Sequence, residues 1–296
     1  MKKAFVTGAG GYVGSRLVTE LSENGWRVTG LAHTDADAET VRRAGATVAH
    51  GGLDDIDVLR RHAAESDAVL HLAFRHDLAD YSEAVAIDRR TIRILAESLS
   101  PGGRLATTGA TASLPAASAG TEDDLADPAA PRVGSEEETG AVRASGVGAT
   151  LVRLPPSVHG PDDVRGFVTR LLALAQASGR SAYVGDGEFL WPAVHKDDAV
   201  RVYRAAVETE EAPAVLHAVG EEGVPFRRIA EAIGARAGVP TVSLDLAAAA
   251  EHFGPLARFA TLHNPTSSAL TRARTGWAPT GPTLLADIAD TAVYAS

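Results

Sequence analysis

The sequence predicts a doubly wound α/β fold built on a parallel sheet, and three observations predict it. Short apolar runs alternate with helical patterns from the first residues up to Pro155. A glycine-rich segment directly follows the first apolar run and opens the first helix. With 45% hydrophobic and 22% charged residues over 296 positions, the chain can bury a core large enough for one continuous unit with an added lobe. Alternation this regular requires right-handed crossovers, which place helices on both faces of a parallel sheet.

In chain order, the spacing predicts a strand over residues 4–7, a helix over 12–24, a strand over 27–32 and a helix over 39–44. It then predicts strands at 47–50 and 68–73 around a helix at 56–64, and a helix at 81–99 leading to a strand at 105–108. Residues 109–134 are rich in Ala, Ser, Pro and acids without periodicity, so a long loop is expected there. A helix at 135–144 and a strand at 150–153 complete the alternation. After Pro155, prolines and glycines punctuate shorter helices at 168–177, 197–208, 226–237, 267–274 and 282–293, with brief strands between them.

Several classes are excluded. A net charge of −10 opposes a nucleic-acid surface, which depends on clustered Lys and Arg. The chain lacks an apolar run long enough for a membrane span, and its start is too broken by glycine for a signal-peptide core, so a soluble cytoplasmic protein is expected. Without cysteine there is no disulfide, thiolate metal site or cysteine nucleophile. The ten histidines show no His-x-His or His-Glu-x-x-His spacing, so no metal site is expected. A small-molecule partner is the remaining expectation; a homodimer is compatible with the sequence.

The sharpest motif is Thr7-Gly8-Ala9-Gly10-Gly11-Tyr12-Val13-Gly14. Its first glycine permits a tight turn, the second lets backbone N–H groups approach a pyrophosphate, and the third lets helix and strand pack closely. The helix N-terminus then stabilises the anion.

The spacing Gly8-x-x-Gly11-x-x-Gly14 resembles that of the short-chain dehydrogenase/reductase superfamily, in its extended or atypical branch. Further matches follow in order. Leu53-Asp54 resembles the adenine-contacting pair, and His71-Leu72-Ala73-Phe74 the fourth-strand motif lining the cofactor ribose. The segment Leu154-Pro155-Pro156-Ser157-Val158-His159-Gly160-Pro161 resembles the one covering the nicotinamide, and Trp191-Pro192-Ala193-Val194-His195-Lys196-Asp197-Asp198 the return to the core. The resemblance implies a Rossmann dinucleotide-binding core over residues 1–155 and 194–219, and a smaller C-terminal substrate lobe over 156–193 and 220–296. Gly8, Gly11, Tyr12, Val13, Gly14, His33, Thr34, Leu53, Asp54, Leu72, Ala73, Phe74 and Pro155 are then the expected cofactor contacts. NAD enzymes place a carboxylate at the end of the second strand. Here His33-Thr34 stands there with Arg16 nearby, which favours NADP, while Asp35 and Asp37 keep NAD as the alternative.

One departure from the superfamily dominates. Its Tyr-x-x-x-Lys pair supplies a proton at the substrate oxygen and holds the ribose. The equivalent stretch here is Arg132-Val133-Gly134-Ser135-Glu136, and no tyrosine of the chain has lysine four residues on. Arg132 and Glu136 are spaced for a helical ion pair worth ~0.3–0.5 kcal/mol, and Arg132 could instead hold an anionic substrate group. An arginine stays protonated and cannot act as a general acid. Thr108 or Thr111 is the candidate for the hydroxyl that bonds the substrate oxygen. His159 is the expected proton donor, with His76, Tyr81, Tyr183 and His195 as the other ionisable groups on cleft-facing segments. Phe167, Tyr183, Phe189, Trp191, Phe226, Phe253 and Phe259 either line an apolar pocket or pack the lobe. The expected function is an NAD(P)-dependent oxidoreductase acting on a small organic substrate. A non-redox enzyme of the same fold (epimerase, lyase or cyclase) and an NADP-sensing regulator without turnover are the alternatives.

Overall fold

The computed structural model describes residues 1–76, 80–115, 119–211 and 213–294. Strand and helix alternate through β1 (Lys3–Thr7), α1 (Tyr12–Glu23), β2 (Arg27–Ala32), α2 (Asp35–Arg43), β3 (Thr47–His50), α3 (Ile56–Ala64), β4 (Ala68–His71), α4 (Tyr81–Ser98), β5 (Arg104–Ala110), α5 (Val133–Ala144) and β6 (Gly148–Leu154). The chain continues with β7 (Ser157–His159), α6 (Phe167–Ser178), β8 (Ser181–Val184), β9 (Leu190–His195), α7 (Lys196–Glu208) and β10 (Val215–His217). It ends with β11 (Glu221–Pro225), α8 (Phe226–Ala237), β12 (Thr241–Leu244), α9 (Leu246–Phe253), α10 (Ala257–Ala260), α11 (Ala269–Thr275) and α12 (Leu284–Ala289).

Seven strands form the central sheet in the order β10-β6-β5-β4-β1-β2-β3, and every pairing in it is parallel. The chain winds outward from β1 to β3, then crosses to β4 and winds the other way. This reversal opens a crevice beyond the carboxyl ends of β1 and β4, where ligands of open α/β sheets bind. Period-two alternation decides what each face buries. Phe5, Val69, Leu105 and Ala149 are in register across β1, β4, β5 and β6, and that row packs under Leu59, Ile92 and Leu95 of α3 and α4. The next row, with Val6, Leu70 and Ala106, faces Leu17, Leu21, Val200 and Tyr203 of α1 and α7.

A second apolar cluster joins α6, α8, α9 and α12 through Leu171, Trp191, Phe226, Ile229, Ile233, Phe253 and Ile288. Its aromatic rings pack on one another, Phe167 on Phe259 at 4.5 Å and Trp191 on Phe226 at 5.0 Å between centroids. These aromatics pack the interior of this second cluster. Among the described residues no helix is long and apolar enough to cross a membrane.

Three elements differ from expectation. Helix α2 starts at Asp35, four residues early, because Thr34 caps it. The Thr34 hydroxyl accepts from the Asp37 N–H at 3.1 Å, and the Asp37 carboxylate accepts from the Thr34 N–H at 3.2 Å. This is a capping box with Asp in the place of Glu. β5 runs on to Ala110 into a 3-10 turn over Thr111–Ser113, and the bridge Gly120↔Thr266 ties the long loop to the C-terminal segment; residues 116–118 of that loop lie outside the described residues. The last helix is confined to Leu284–Ala289, where Asp290 leaves helical geometry with ψ 114°.

Candidate active site

The glycine loop sits at the carboxyl end of β1. Gly8 has φ +69°, and a Cβ there would stand 2.7 Å from the Ala73 nitrogen. A Cβ on Gly14 would lie 2.0 Å from the Gly8 carbonyl oxygen. Gly11 is different: its added Cβ would meet only the Gly8 carbonyl oxygen, at 3.2 Å, and the residue is exposed. Helix α1 has neither a side-chain cap nor an acid in its first turn, so its leading N–H groups, at Tyr12 and Val13, remain available to an anion. The cradle therefore fits a pyrophosphate. The Tyr12 side chain turns away from it, with its hydroxyl buried near Gly160 and Lys196 Nζ 5.0 Å from its ring. Burial, reinforced by Asp163, pushes the Tyr12 hydroxyl pKa far upward, so this group stays protonated.

Of the groups expected to favour a 2′-phosphate, Thr34 and Arg16 are committed elsewhere. The Thr34 hydroxyl is in the α2 cap, donating to Asp37 Oδ2 at 2.8 Å. Arg16 Nε pairs with Asp197 at 2.7 Å, and its other nitrogens reach Glu20 and Glu23. Exposed His33 lies against Gly52. The Asp37 carboxylate instead packs on the glycine loop, with Oδ1 2.6 Å from where a Cβ on Gly10 would stand. Leu53 is buried, Asp54 pairs with Arg90 at 2.5 Å, and Leu72, Ala73 and Phe74 follow β4 with the Ala73 N–H bonded to the Thr7 hydroxyl. Pro155 is buried where β6 ends.

A buried polar chain runs from the glycine loop to Arg132. The Thr7 hydroxyl bonds His71 Nδ1 at 2.6 Å, His71 Nε2 bonds Asp88 Oδ1 at 2.9 Å, and Asp88 Oδ2 lies 3.5 Å from Arg132 Nη2. Burial works to raise the Asp88 pKa, but the His71 N–H and the Arg132 charge outweigh it and hold the carboxyl below the usual range. Arg132 also donates to the Thr108 carbonyl at 3.2 Å, and its guanidinium lies over the Phe74 ring at 4.0 Å. The expected Arg132–Glu136 ion pair does not form. The first turn of α5 aims the two side chains at different partners, and Glu136 closes instead on Arg153. Thr108 donates its hydroxyl proton to the His71 carbonyl at 2.9 Å and bonds the Tyr203 hydroxyl at 2.8 Å, while Thr111 donates to Asn264 at 2.7 Å. Neither threonine presents a free donor to the crevice.

Glu136 and Arg153, both buried, anchor the far side of α5. Arg153 bonds Glu136 Oε2 at 2.9 Å and the Asp124 carbonyl at 3.0 Å, and its Nη1 lies 3.3 Å from His217 Nε2. His217 Nδ1 donates to the Ser267 carbonyl at 2.8 Å, which leaves Nε2 as the acceptor for Arg153 and the ring neutral. Burial is the main cause that lowers the His217 pKa. A histidine held neutral in the folded state contributes stability that is present above its ordinary pKa and lost as pH falls below it. Each pH unit between about 6.5 and the lowered value then changes unfolding free energy by about 1.4 kcal/mol. Urea titrations from pH 7.5 to 4.5 should show this acid limb flattened in His217→Gln; an unchanged slope would contradict the assignment.

His159 is fully enclosed. Its Nδ1 bonds Asp287 at 2.6 Å, its Nε2 is 3.9 Å from Glu221, and its ring meets His195 edge-on at 5.6 Å. This cluster ties β7 and β9 to α12, and His195 also caps α7 by accepting from the Asp197 N–H. Tyr183 lies in β8 against the second apolar cluster, its ring 5.5 Å from the Arg227 guanidinium. Tyr81 is 38% exposed at the start of α4, its ring 5.4 Å from Phe74, and the His76 ring lies 4.9 Å from the same Phe74.

The sequence matches the profile of the NAD-dependent epimerase/dehydratase family over residues 4–218. The chain belongs to this family. It is thereby an extended member of the short-chain dehydrogenase/reductase superfamily, and the family's members are NAD-dependent enzymes. A relative from Schizosaccharomyces pombe, itself uncharacterised, is 43% identical over 99% of this chain and 100% of its own length. A ceramide reductase from Caulobacter vibrioides is 30% identical over 60% of this chain and 51% of its own. UDP-glucuronic acid 4-epimerase from Bacillus cereus, solved with UDP-glucuronic acid and NAD, has the same fold, with a TM-score of 0.76 at 20% identity over 99% of this chain and 98% of that one.

Sequence reasoning named Thr7, His71 and Arg132 but missed Asp88 and the linkage it completes between His71 and Arg132. A signal was present: Asp88 falls on the stripe of Ala84, Thr91, Ile92 and Leu95, the buried face of α4, where a lone carboxylate needs partners. Arg153 gave a similar one, as a charge inside the apolar run of β6.

Proposed function

We propose that this family member is an NAD(H)-dependent oxidoreductase that interconverts a carbonyl and an alcohol on a small organic substrate. The observation that carries the reading is the cradle open at Gly11 under an uncapped helix N-terminus, at the reversal point of the sheet. When bound there, the nicotinamide would supply or accept the hydride. Asp37, a carboxylate against the loop, supports NAD over NADP because it would repel a 2′-phosphate, and the donors Thr34 and Arg16 are held elsewhere. NADH should therefore bind at least about tenfold more tightly than NADPH, and Asp37→Asn, which keeps an acceptor for the α2 cap, should narrow the gap. Equal dissociation constants at one ionic strength in the wild type would contradict this.

The proton comes from Tyr81 in this reading. Burial raises the Tyr81 pKa, while the charges of Arg132 and then Arg258 pull against it and would stabilise the developing phenolate. In the reducing direction the carbonyl carbon gains hydride, the oxygen takes the proton from Tyr81 Oη, and solvent at this half-exposed position restores the phenol. Arg132 remains a fixed cation, stabilising negative charge at the reacting end without exchanging a proton. Tyr81→Phe should lower turnover by about 10²–10⁴-fold with NADH affinity retained. A loss below about tenfold would remove Tyr81 from this role.

A further inference from the structure

Among the described residues, Arg132 has more donors than acceptors, even with the Asp88 carboxylate 3.5 Å away. Its side chain is 14% exposed, and it donates one hydrogen bond, from Nη2 to the Thr108 carbonyl. Its Nε is buried without a partner. A guanidinium has five N–H donors in a planar fork, and a buried donor without an acceptor is costly. The Phe74 face covers one side of the plane at 4.0 Å, and an additional acceptor bonds the N–H groups in the plane, where they are paired. That is the geometry of a bidentate carboxylate.

A second cation comes from the lobe. Arg258 is exposed, and among the described residues its contact is with the face of Phe259 at 4.4 Å, with no carboxylate in ion-pair range. The segment that follows it is fixed to the end of β5 by Asn264, which accepts from the Thr111 hydroxyl at 2.7 Å and donates to the Thr111 carbonyl at 2.9 Å. Among the described residues, Arg132 and Arg258 act on the Tyr81 hydroxyl with one sign and Asp88 with the other. The Asp88 carboxylate, 3.5 Å from Arg132, would repel a phosphate dianion more than a monoanion, so a monoanion suits this position better.

We propose that Arg132, assisted by Arg258, is a carboxylate-binding site, and that the substrate is an organic acid whose reacting carbon lies near its carboxylate. The proposal rests on the oxidoreductase reading for the word substrate, but the binding site itself is testable without turnover. The probes are benzoate, its uncharged methyl ester and phenylphosphonate, titrated calorimetrically into the full chain with and without NADH. Benzoate should bind saturably and at least about tenfold more tightly than methyl benzoate, since a charge-assisted hydrogen bond to a buried donor is at stake. Arg132→Gln combined with Asp88→Asn removes the cation and its counter-ion together and should lose benzoate binding at least about tenfold. Arg132→Lys, which keeps charge but not the fork, should fall between this and wild type, and Arg258→Ala should weaken benzoate several-fold. Near-UV circular dichroism checks that each variant is folded; Arg258→Ala, on an exposed side chain, keeps the test decisive if the double variant is not. Absence of benzoate binding, equal affinity for the ester, or benzoate affinity unchanged by the arginine variants would each overturn the proposal. Tighter binding of phenylphosphonate than benzoate would also overturn it, in favour of a phosphate site. Loss of NADH binding in wild type, with benzoate binding intact and Arg132-dependent, would sink the cofactor reading alone and leave the carboxylate site standing.

Discussion

Gly11→Val should abolish dinucleotide binding and leave a folded protein. Gly11 has an ordinary extended backbone with φ −77°, and an added Cβ meets one atom, the Gly8 carbonyl oxygen at 3.2 Å. The protein side therefore yields by a few tenths of an ångström, whereas the valine methyls project into the space a pyrophosphate would fill beside the first N–H groups of α1. Each N–H to phosphate hydrogen bond lost is worth about 1.5–3 kcal/mol, so displacement by even two of them removes measurable affinity. Gly14→Ala is the informative contrast. Its Cβ would collide with Gly8 backbone atoms at 2.0 and 2.8 Å, so that variant should lose stability first. Calorimetric titration of NADH, with thermal unfolding alongside, separates the two; wild-type affinity in folded Gly11→Val would show that the dinucleotide binds elsewhere.

Arg153→Met should destabilise the protein by about 3–5 kcal/mol, because it leaves the buried Glu136 carboxylate without its partner. Both side chains are nearly enclosed, at 3% and 7% exposed, and the same arginine holds the Asp124 carbonyl and His217. Removing both charges, as Arg153→Met with Glu136→Gln, should recover a large part of the loss, since no buried ion is then left unpaired. Urea denaturation of the two variants measures this. A single-variant loss under about 1 kcal/mol would mean that Glu136 reaches water or protonates at little cost.

Period and punctuation made the core of this fold legible. Phe5, Val69 and Leu105 lie in short apolar runs between helical patterns, and a parallel sheet is the arrangement that buries such runs on both faces. The Gly8-x-x-Gly11-x-x-Gly14 spacing is legible because Gly8 and Gly14 answer local steric demands, while Gly11 leaves the loop open to a ligand. What the sequence could not convey was side-chain partnership over long separations. Arg132 and Glu136 are four residues apart and look like a helical pair, yet one meets Asp88 and the other Arg153. His159 stands in a segment that resembles a nicotinamide cover, but its partner Asp287 lies 128 residues on and closes it in. Thr34 looked like a free hydroxyl at a strand end, and its role as a helix cap depends on Asp37 serving where Glu is usual.

Net redox chemistry at a dinucleotide held by the glycine loop is measured by following reduced-nicotinamide absorbance and product together, in one reaction, with NADH and matched carbonyl compounds bearing or lacking a carboxylate. One equivalent of NADH should be consumed per alcohol formed, with both lost in Gly11→Val. Product formed without any net change in NADH would contradict net redox chemistry and make the protein an epimerase or lyase.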